Sequence, residues 1–85
     1  MKLLYVERSI VEYKTMYEKI QEIIIDISVE EIKQIVTADD DDPLYYDGYI
    51  LTKEQIEQII QLKSINLSYN LDKYYYVLEC GGIYE

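Results

Sequence analysis

Three helix-start signals divide this chain of 85 residues and constrain its fold more than any other feature. Each signal is a Ser or Thr followed three residues later by Glu or Gln. In this capping-box pattern the two side chains satisfy backbone N–H groups at a helix N-terminus. The pairs are Ser9 with Glu12, Ser28 with Glu31, and Thr52 with Gln55. Three defined helix starts favour one ordered fold over an ensemble of compact states.

The residues that follow each signal predict the length of each helix. Apolar side chains recur at helical spacing after the first signal and predict an amphipathic helix over residues 10–26. They are Ile10, Tyr13, Met16, Tyr17, Ile20, Ile23, Ile24 and Ile27. The second helix is short and ends at Thr37 and Ala38, because the four aspartates that follow oppose the helix dipole. The third helix ends near Ser64.

Segments with strand character flank these helices. Residues 2–7 are short and apolar, residues 65–71 alternate strictly between apolar and polar, and residues 74–80 have high strand propensity. Residues 49–51 form either a short strand or the approach to the third helix. The order β-α-α-(β)-α-β-β predicts an α+β fold with one domain over residues 1–85. In it an antiparallel sheet of about three to four strands packs against about three helices.

The charge of the chain restricts its partners. Asp and Glu number 17 and Lys and Arg number 8, which gives a formal net charge of -9, while 49% of the residues are hydrophobic. That hydrophobic content is too high for a disordered acidic tail. Nucleic-acid phosphates and anionic lipids attract Lys and Arg, so we expect neither nucleic acid nor a membrane surface as a direct partner. A basic protein surface is the expected partner.

Catalytic and redox signals are weak. The chain has no His, which is the commonest general base, and its single cysteine, Cys80, has no partner for an internal disulfide. We therefore expect a protein that is not an enzyme and that resides in a reducing cytoplasm, which would be the host cytoplasm if the protein is viral.

Two acidic groups are candidates for partner binding. On the predicted first helix, acids at positions i, i+4 and i+8 would form a stripe with steps of about 6 Å. The alternative is an ordinary solvated face. The second group is the loop before the third helix, where tyrosines accompany the acids and suit a protein interface. The stripe comprises Glu18, Glu22 and Asp26, and the loop comprises Asp39, Asp40, Asp41, Asp42, Tyr45, Tyr46, Asp47 and Tyr49. By contrast, we expect Tyr13 and Tyr17 to lie in the core.

A partial calcium motif overlaps this loop. Asp47, Gly48 and Glu54 match the second half of an EF-hand loop, so the segment resembles a degenerate EF-hand. Pro43 and Tyr45 stand where the first two Asp ligands of that motif belong. An Asp-Gly turn followed by a capped helix is therefore the favoured interpretation. No metal and no cofactor are expected.

These features together favour a small acidic inhibitor that blocks the basic nucleic-acid-binding surface of an enzyme or effector complex. The size, the charge and the lack of catalytic groups are similar to those of phage-encoded anti-defence inhibitors, such as anti-CRISPR proteins and other DNA mimics. This resemblance concerns class properties and involves no motif. The alternatives are a cytoplasmic interaction module such as an antitoxin or adaptor subunit, and then a calcium binder. The chain is expected to be a monomer, or a homodimer paired through a sheet edge at residues 74–80.

Overall fold

The described part of the chain combines a four-stranded antiparallel sheet with two helices, so the predicted α+β layout holds in outline. The structure is a computed structural model and describes residues 2–15 and 18–85. Its elements are β1 (Leu3–Thr15), β2 (Glu18–Ile25), α1 (Val29–Lys33), β3 (Tyr49–Ile50), α2 (Lys53–Lys63) and β4 (Tyr75–Tyr84). The strand order across the sheet is β2-β1-β4-β3. Neither helix of the described chain has the length and apolar character needed to cross a bilayer.

The helix predicted over residues 10–26 is wrong, because residues 10–15 and 18–25 lie in the antiparallel strands β1 and β2. The predicted capping box at its start is not used as one. The Ser9 hydroxyl donates instead to Glu22 across the strand pair at 2.7 Å, and Glu12 accepts a hydrogen bond from Tyr76. Met16 and Tyr17, which the predicted helix would contain, lie outside the described residues.

The position of β1 inside the sheet explains this error. The strand pairs with β2 on one side and β4 on the other, and five consecutive residues, 8–12, are buried. A strand that is buried on both faces does not show the clean alternation of a half-exposed strand. Its apolar residues then match a helical period by coincidence. The β-branched run Ile23-Ile24-Ile25 carried the contrary signal.

The other two capping boxes form as predicted. Ser28 N–H donates to the Glu31 carboxylate at 3.0 Å, and Glu31 N–H donates to the Ser28 hydroxyl at 3.1 Å. Thr52 and Gln55 make the same reciprocal pair at 2.9 and 3.2 Å. Helix α2 ends where predicted, at Ser64, which takes a left-handed conformation with φ of 52°. These local signals therefore fix where α1 and α2 begin.

The C-terminal third matches the prediction only in its last strand. Residues 65–71 do not pair with the sheet, although Leu67 is buried in the core. Strand β4 extends beyond the predicted residues 74–80. It lies between β1 and β3, with Val77 and Leu78 paired on both sides. The expectation that residues 74–80 form a free sheet edge for a homodimer is therefore wrong at residues 77 and 78, which already have a strand on each side.

The main core lies between one face of the sheet and the helices. Cross-strand neighbours Ile10 and Leu78 come from the sheet, and Ile56 and Ile59 come from α2. Ile32 of the short helix α1 is fully buried in the same cluster. Burying aliphatic side chains of this kind contributes about 1.5–3 kcal/mol each. This packing, rather than the length of α1, holds the short helix on the sheet.

A polar pair is buried beside this core. Tyr76, which has no exposed surface, donates its hydroxyl to Glu12 and accepts a hydrogen bond from Asn70 N–H at 2.8 Å. The other Glu12 oxygen accepts from Gln21 at 3.3 Å. Burial, and next the hydrogen bond to Glu12, raise the pKa of Tyr76 to about 12. The buried carboxylate is thus satisfied by a phenol rather than by a cation.

Replacing Tyr76 with Phe tests this pair. Tyr76→Phe leaves Glu12 buried without its phenolic donor, and an unsatisfied buried polar group costs about 1–3 kcal/mol. We expect the free energy of unfolding in urea to fall by that amount. The matched control is Tyr69→Phe, because Tyr69 makes the same kind of hydrogen bond, to Glu57 at 2.7 Å, on the surface. Equal effects of the two substitutions would contradict the importance of burial.

Candidate partner-binding surface

The predicted acidic stripe does not exist as a helix face. Glu18 and Glu22 lie on β2, which is an edge strand, and Asp26 follows that strand as an exposed residue. On a strand, four residues span about 13 Å, which is twice the helical step expected from the sequence. The regular step of about 6 Å predicted for the stripe is therefore lost.

The structure also separates Glu18 of the stripe from the acidic loop, defined here as residues 39–47, whereas Asp26 follows Ile25, which pairs with Arg8. The Arg8 guanidinium donates to the Leu44 carbonyl oxygen at 2.9 Å, which places the loop at the Arg8 end of β1. Glu18 pairs with Thr15, seven residues further along β1 and so about 23 Å away. The predicted binding residues thus belong to two regions rather than to one surface.

Asp42 organises the acidic loop from within. It is buried, and its carboxylate accepts from Tyr46 N–H at 2.8 Å, from Asp47 N–H at 2.9 Å and from the Tyr49 hydroxyl at 2.7 Å. Burial alone would raise the pKa of Asp42, but these hydrogen bonds and the nearby Arg8 outweigh burial and lower that pKa. Asp42 is therefore a structural residue of the loop and not part of its contact surface, contrary to the sequence-based prediction.

Two of the three tyrosines that were predicted as contacts in or beside the loop are also structural. Tyr45 is buried and donates to the Val36 carbonyl oxygen at 2.6 Å, and its φ of 58° lies in the left-handed region. Tyr49 is buried beside it, with ring centroids 5.4 Å apart. Since neither ring faces solvent, their prediction as contact residues is wrong. Tyr46 is 52% exposed and stays a candidate contact residue.

The remaining acids of the loop form an exposed cluster. Asp39, Asp41 and Asp47 are exposed, and their carboxylate oxygens lie within 4.8 Å of one another. Asp40 is exposed between the first two. Among the residues described, Glu54 is not a member of this group, although the EF-hand resemblance required it there. The geometry therefore concentrates negative charge on a loop held in shape by Asp42, and does not reproduce an EF-hand.

Arg8 is a residue of this region that the sequence analysis missed. It is buried, it reaches the loop through the Leu44 carbonyl, and it lies close enough to Asp42 to help lower the pKa of that carboxyl. Its signal in the sequence was its status as the single Arg of the chain, beside seven Lys. Arg suits a buried position of this kind because its planar guanidinium stays charged and offers several donors.

Asp42→Asn should loosen the acidic loop. An amide replaces one acceptor oxygen with a donor, which then faces N–H or O–H groups that are themselves donors. We expect a lower free energy of unfolding and faster amide exchange at Tyr46 and Asp47. The matched control is Asp40→Asn, which removes the same charge from an exposed position.

The pH dependence provides a second measure of Asp42. A carboxyl whose pKa is lower in the folded state stabilises the fold above its unfolded pKa of about 3.9. That stabilisation is lost as the pH falls through the lower, folded-state value. Asp42→Asn should therefore flatten the acid side of the stability curve relative to Asp40→Asn. Parallel curves for the two variants would rule out the organising role of Asp42.

Alkaline titration should reveal the tyrosines that donate to carboxylates. The hydrogen bond to Glu79 and burial raise the pKa of Tyr13 to about 12, and burial together with Asp42 raises the pKa of Tyr49 to about 12. A raised folded-state pKa stabilises the fold below the unfolded value of about 10, and this is lost as the pH rises through about 12. We expect a late phase in tyrosinate absorbance, which disappears in urea. A single transition near pH 10 in the folded protein would contradict these hydrogen bonds.

Comparison with known proteins adds a family but no function. No curated protein and no solved structure gives a significant match to the chain. A family model described as a domain of unknown function, DUF7683, matches residues 7–79. The matched region includes β1 from residue 7 onward, β2, both helices, the acidic loop, β3 and the first half of β4. The chain therefore belongs to the DUF7683 family.

Proposed function

We propose that this chain is a small acidic inhibitor that docks on the basic nucleic-acid-binding surface of an enzyme or effector complex. The observation that carries this proposal is the exposed carboxylate cluster of the acidic loop, Asp39, Asp41 and Asp47, with Asp40 beside it. A groove that binds nucleic acid is lined by Lys and Arg, and the same side chains attract carboxylates.

The charge of the acidic loop is left without ion pairs. Two ion pairs occur among the described residues, and neither includes a residue of the loop. They join Lys19 to Glu22 at 2.8 Å and Lys63 to Glu31 at 3.2 Å. The exposed loop carboxylates therefore repel one another, and a basic partner would relieve that repulsion. Their field would also speed association at low salt.

The shape of the loop supports specific binding. Asp42 holds the backbone at Tyr46 and Asp47, and Tyr45 ties the loop to Val36. A loop that is already ordered loses less conformational entropy when a partner binds. The exposed ring of Tyr46 adds rigid apolar area beside the carboxylates, as is typical of protein interfaces. The likeness to nucleic acid lies in the sign of the charge, not in the spacing of phosphates.

The test is to capture partners from a lysate at low salt and to measure their binding to nucleic acid with and without the chain. The loop variant combines Asp39→Asn, Asp41→Asn and Asp47→Asn. We expect it to associate with a captured partner at least tenfold more slowly and to leave that partner able to bind nucleic acid. The matched control removes three exposed acids elsewhere, through Glu30→Gln, Asp72→Asn and Glu85→Gln. It separates the effect of the cluster from that of net charge.

Two results would overturn this proposal. One is a partner that still binds nucleic acid at full affinity when saturated with the chain. The other is an equal effect of the loop variant and the control variant, which would assign the binding to overall charge alone.

A further inference from the structure

The sheet face turned away from the helices has its own composition. Strand register places Val11, Val77 and Ile50 in one row across this face, with Glu22 at the edge of the row. Ser9, Glu79 and Ile24 form the next row, and Tyr13 and Tyr75 face each other in the row beyond. We call this surface the outer face. It comprises Ser9, Val11, Tyr13, Glu22, Ile24, Ile50, Tyr75, Val77 and Glu79.

The centre of the outer face is apolar and ordered. Val11 and Val77 are buried, yet they do not belong to the core cluster between the sheet and the helices. Beside them the rings of Tyr13 and Tyr75 stack with centroids 5.4 Å apart. The Tyr13 hydroxyl donates to Glu79 at 2.5 Å, which fixes the ring across the strands. Preorganised aromatic area of this kind is suited to binding.

Two isoleucines on the same face lie in solvent. Ile24 is 62% exposed on β2 and Ile50 is 71% exposed on β3, so they flank the apolar centre from the two outer strands. The solvent face of an antiparallel sheet is normally polar. An apolar patch with a polar rim instead marks an interaction site.

The charge of the outer face selects its occupant. Glu22 and Glu79 lie on it, and Lys19, which is opposite Tyr13 in the strand register, pairs with Glu22 at 2.8 Å and offsets its charge. Glu79 accepts from the neutral Tyr13 hydroxyl and keeps its negative charge without an ion pair among the described residues. A second copy of the chain would bring the same carboxylates against these, and nucleic acid would bring phosphates. Val11 and Val77 are 0% and 9% exposed, so the apolar area open to a partner is mainly that of Ile24 and Ile50. A partner segment with aliphatic side chains between Lys or Arg residues complements these isoleucines and the carboxylates beside them.

We propose that the outer face docks such a basic, apolar protein segment, as a second contact surface distinct from the acidic loop. This rests on the proposed function only for the class of partner, a basic protein. The apolar contact with Ile24 and Ile50 sets how long the complex lasts, because buried apolar anchors act mainly on dissociation. The acidic loop acts mainly on association.

The probe is a synthetic amphipathic peptide of leucine and lysine, added to the isotope-labelled chain and followed by amide chemical shifts. We expect shifts at Ile24, Ile50 and Val77. The double variant Ile24→Asp with Ile50→Asp should weaken the affinity for the peptide at least tenfold. Leu62→Asp is the control, since Leu62 is an exposed apolar residue of α2, 45% exposed. Mapping on the unaltered chain does not depend on whether the double variant folds.

Four further results decide between the alternatives. A leucine and glutamate peptide that shifts the same amides equally would overturn the role of charge and with it this proposal. Shifts confined to residues 39–47 would overturn the outer-face site and leave the proposed function standing. Concentration-dependent shifts of the outer face without peptide would assign it to a second copy instead. An oligolysine peptide should shift the acidic loop alone, and its failure to do so would count against the proposed function but not against the outer face.

Discussion

The hydrogen bond from a tyrosine to a carboxylate is the interaction on which this fold depends. An isolated buried carboxylate is costly because it loses its hydration, so it needs donors. The chain buries Glu12 in the sheet and Asp42 in the acidic loop, and a tyrosine hydroxyl donates to each. Tyr76 joins β4 to β1 through Glu12, and Tyr49 joins the start of β3 to the loop through Asp42. The sheet and the loop therefore rely on the same chemical pair.

The sequence predicted those parts of the fold that have local causes. The capping boxes at Ser28 and Thr52 form because a short apolar stretch follows each of them and packs on the sheet. The same pattern at Ser9 does not form a capping box because Ser9 lies inside β1. There the Ser9 hydroxyl donates to Glu22, and the Glu12 carboxylate accepts from Tyr76. A capping box is a local preference of about 1 kcal/mol, and pairing on both edges of a central strand outweighs it.

The candidate site was predicted in composition but not in geometry. The exposed acids Asp39, Asp41 and Asp47 could be chosen from the sequence because a loop with Pro and Asp-Gly lies on the surface. The burial of Asp42 could not be predicted in this way. Four consecutive aspartates are equivalent in the sequence, and only the hydrogen-bond partners in the fold distinguish one of them. The outer face could not be predicted from the sequence for a different reason. Its residues come from four strands, of which β2 and the second half of β1 were predicted as a helix.

The use of tyrosine as the donor also explains how so acidic a chain can fold. The chain has only eight Lys and Arg residues that could pair with the buried carboxylates. Burying one of them would also cost the free energy of removing its charge from water. Tyrosine is neutral at physiological pH, so it satisfies Glu12 without adding a buried charge. At Asp42 the Tyr49 hydroxyl shares this role with two backbone N–H groups and with the nearby buried Arg8. The surplus of negative charge then remains on the surface, where water screens it and where the proposed basic partner would neutralise it. Binding such a partner would stabilise the folded state by mass action, so under this proposal the same charge distribution links folding to recognition.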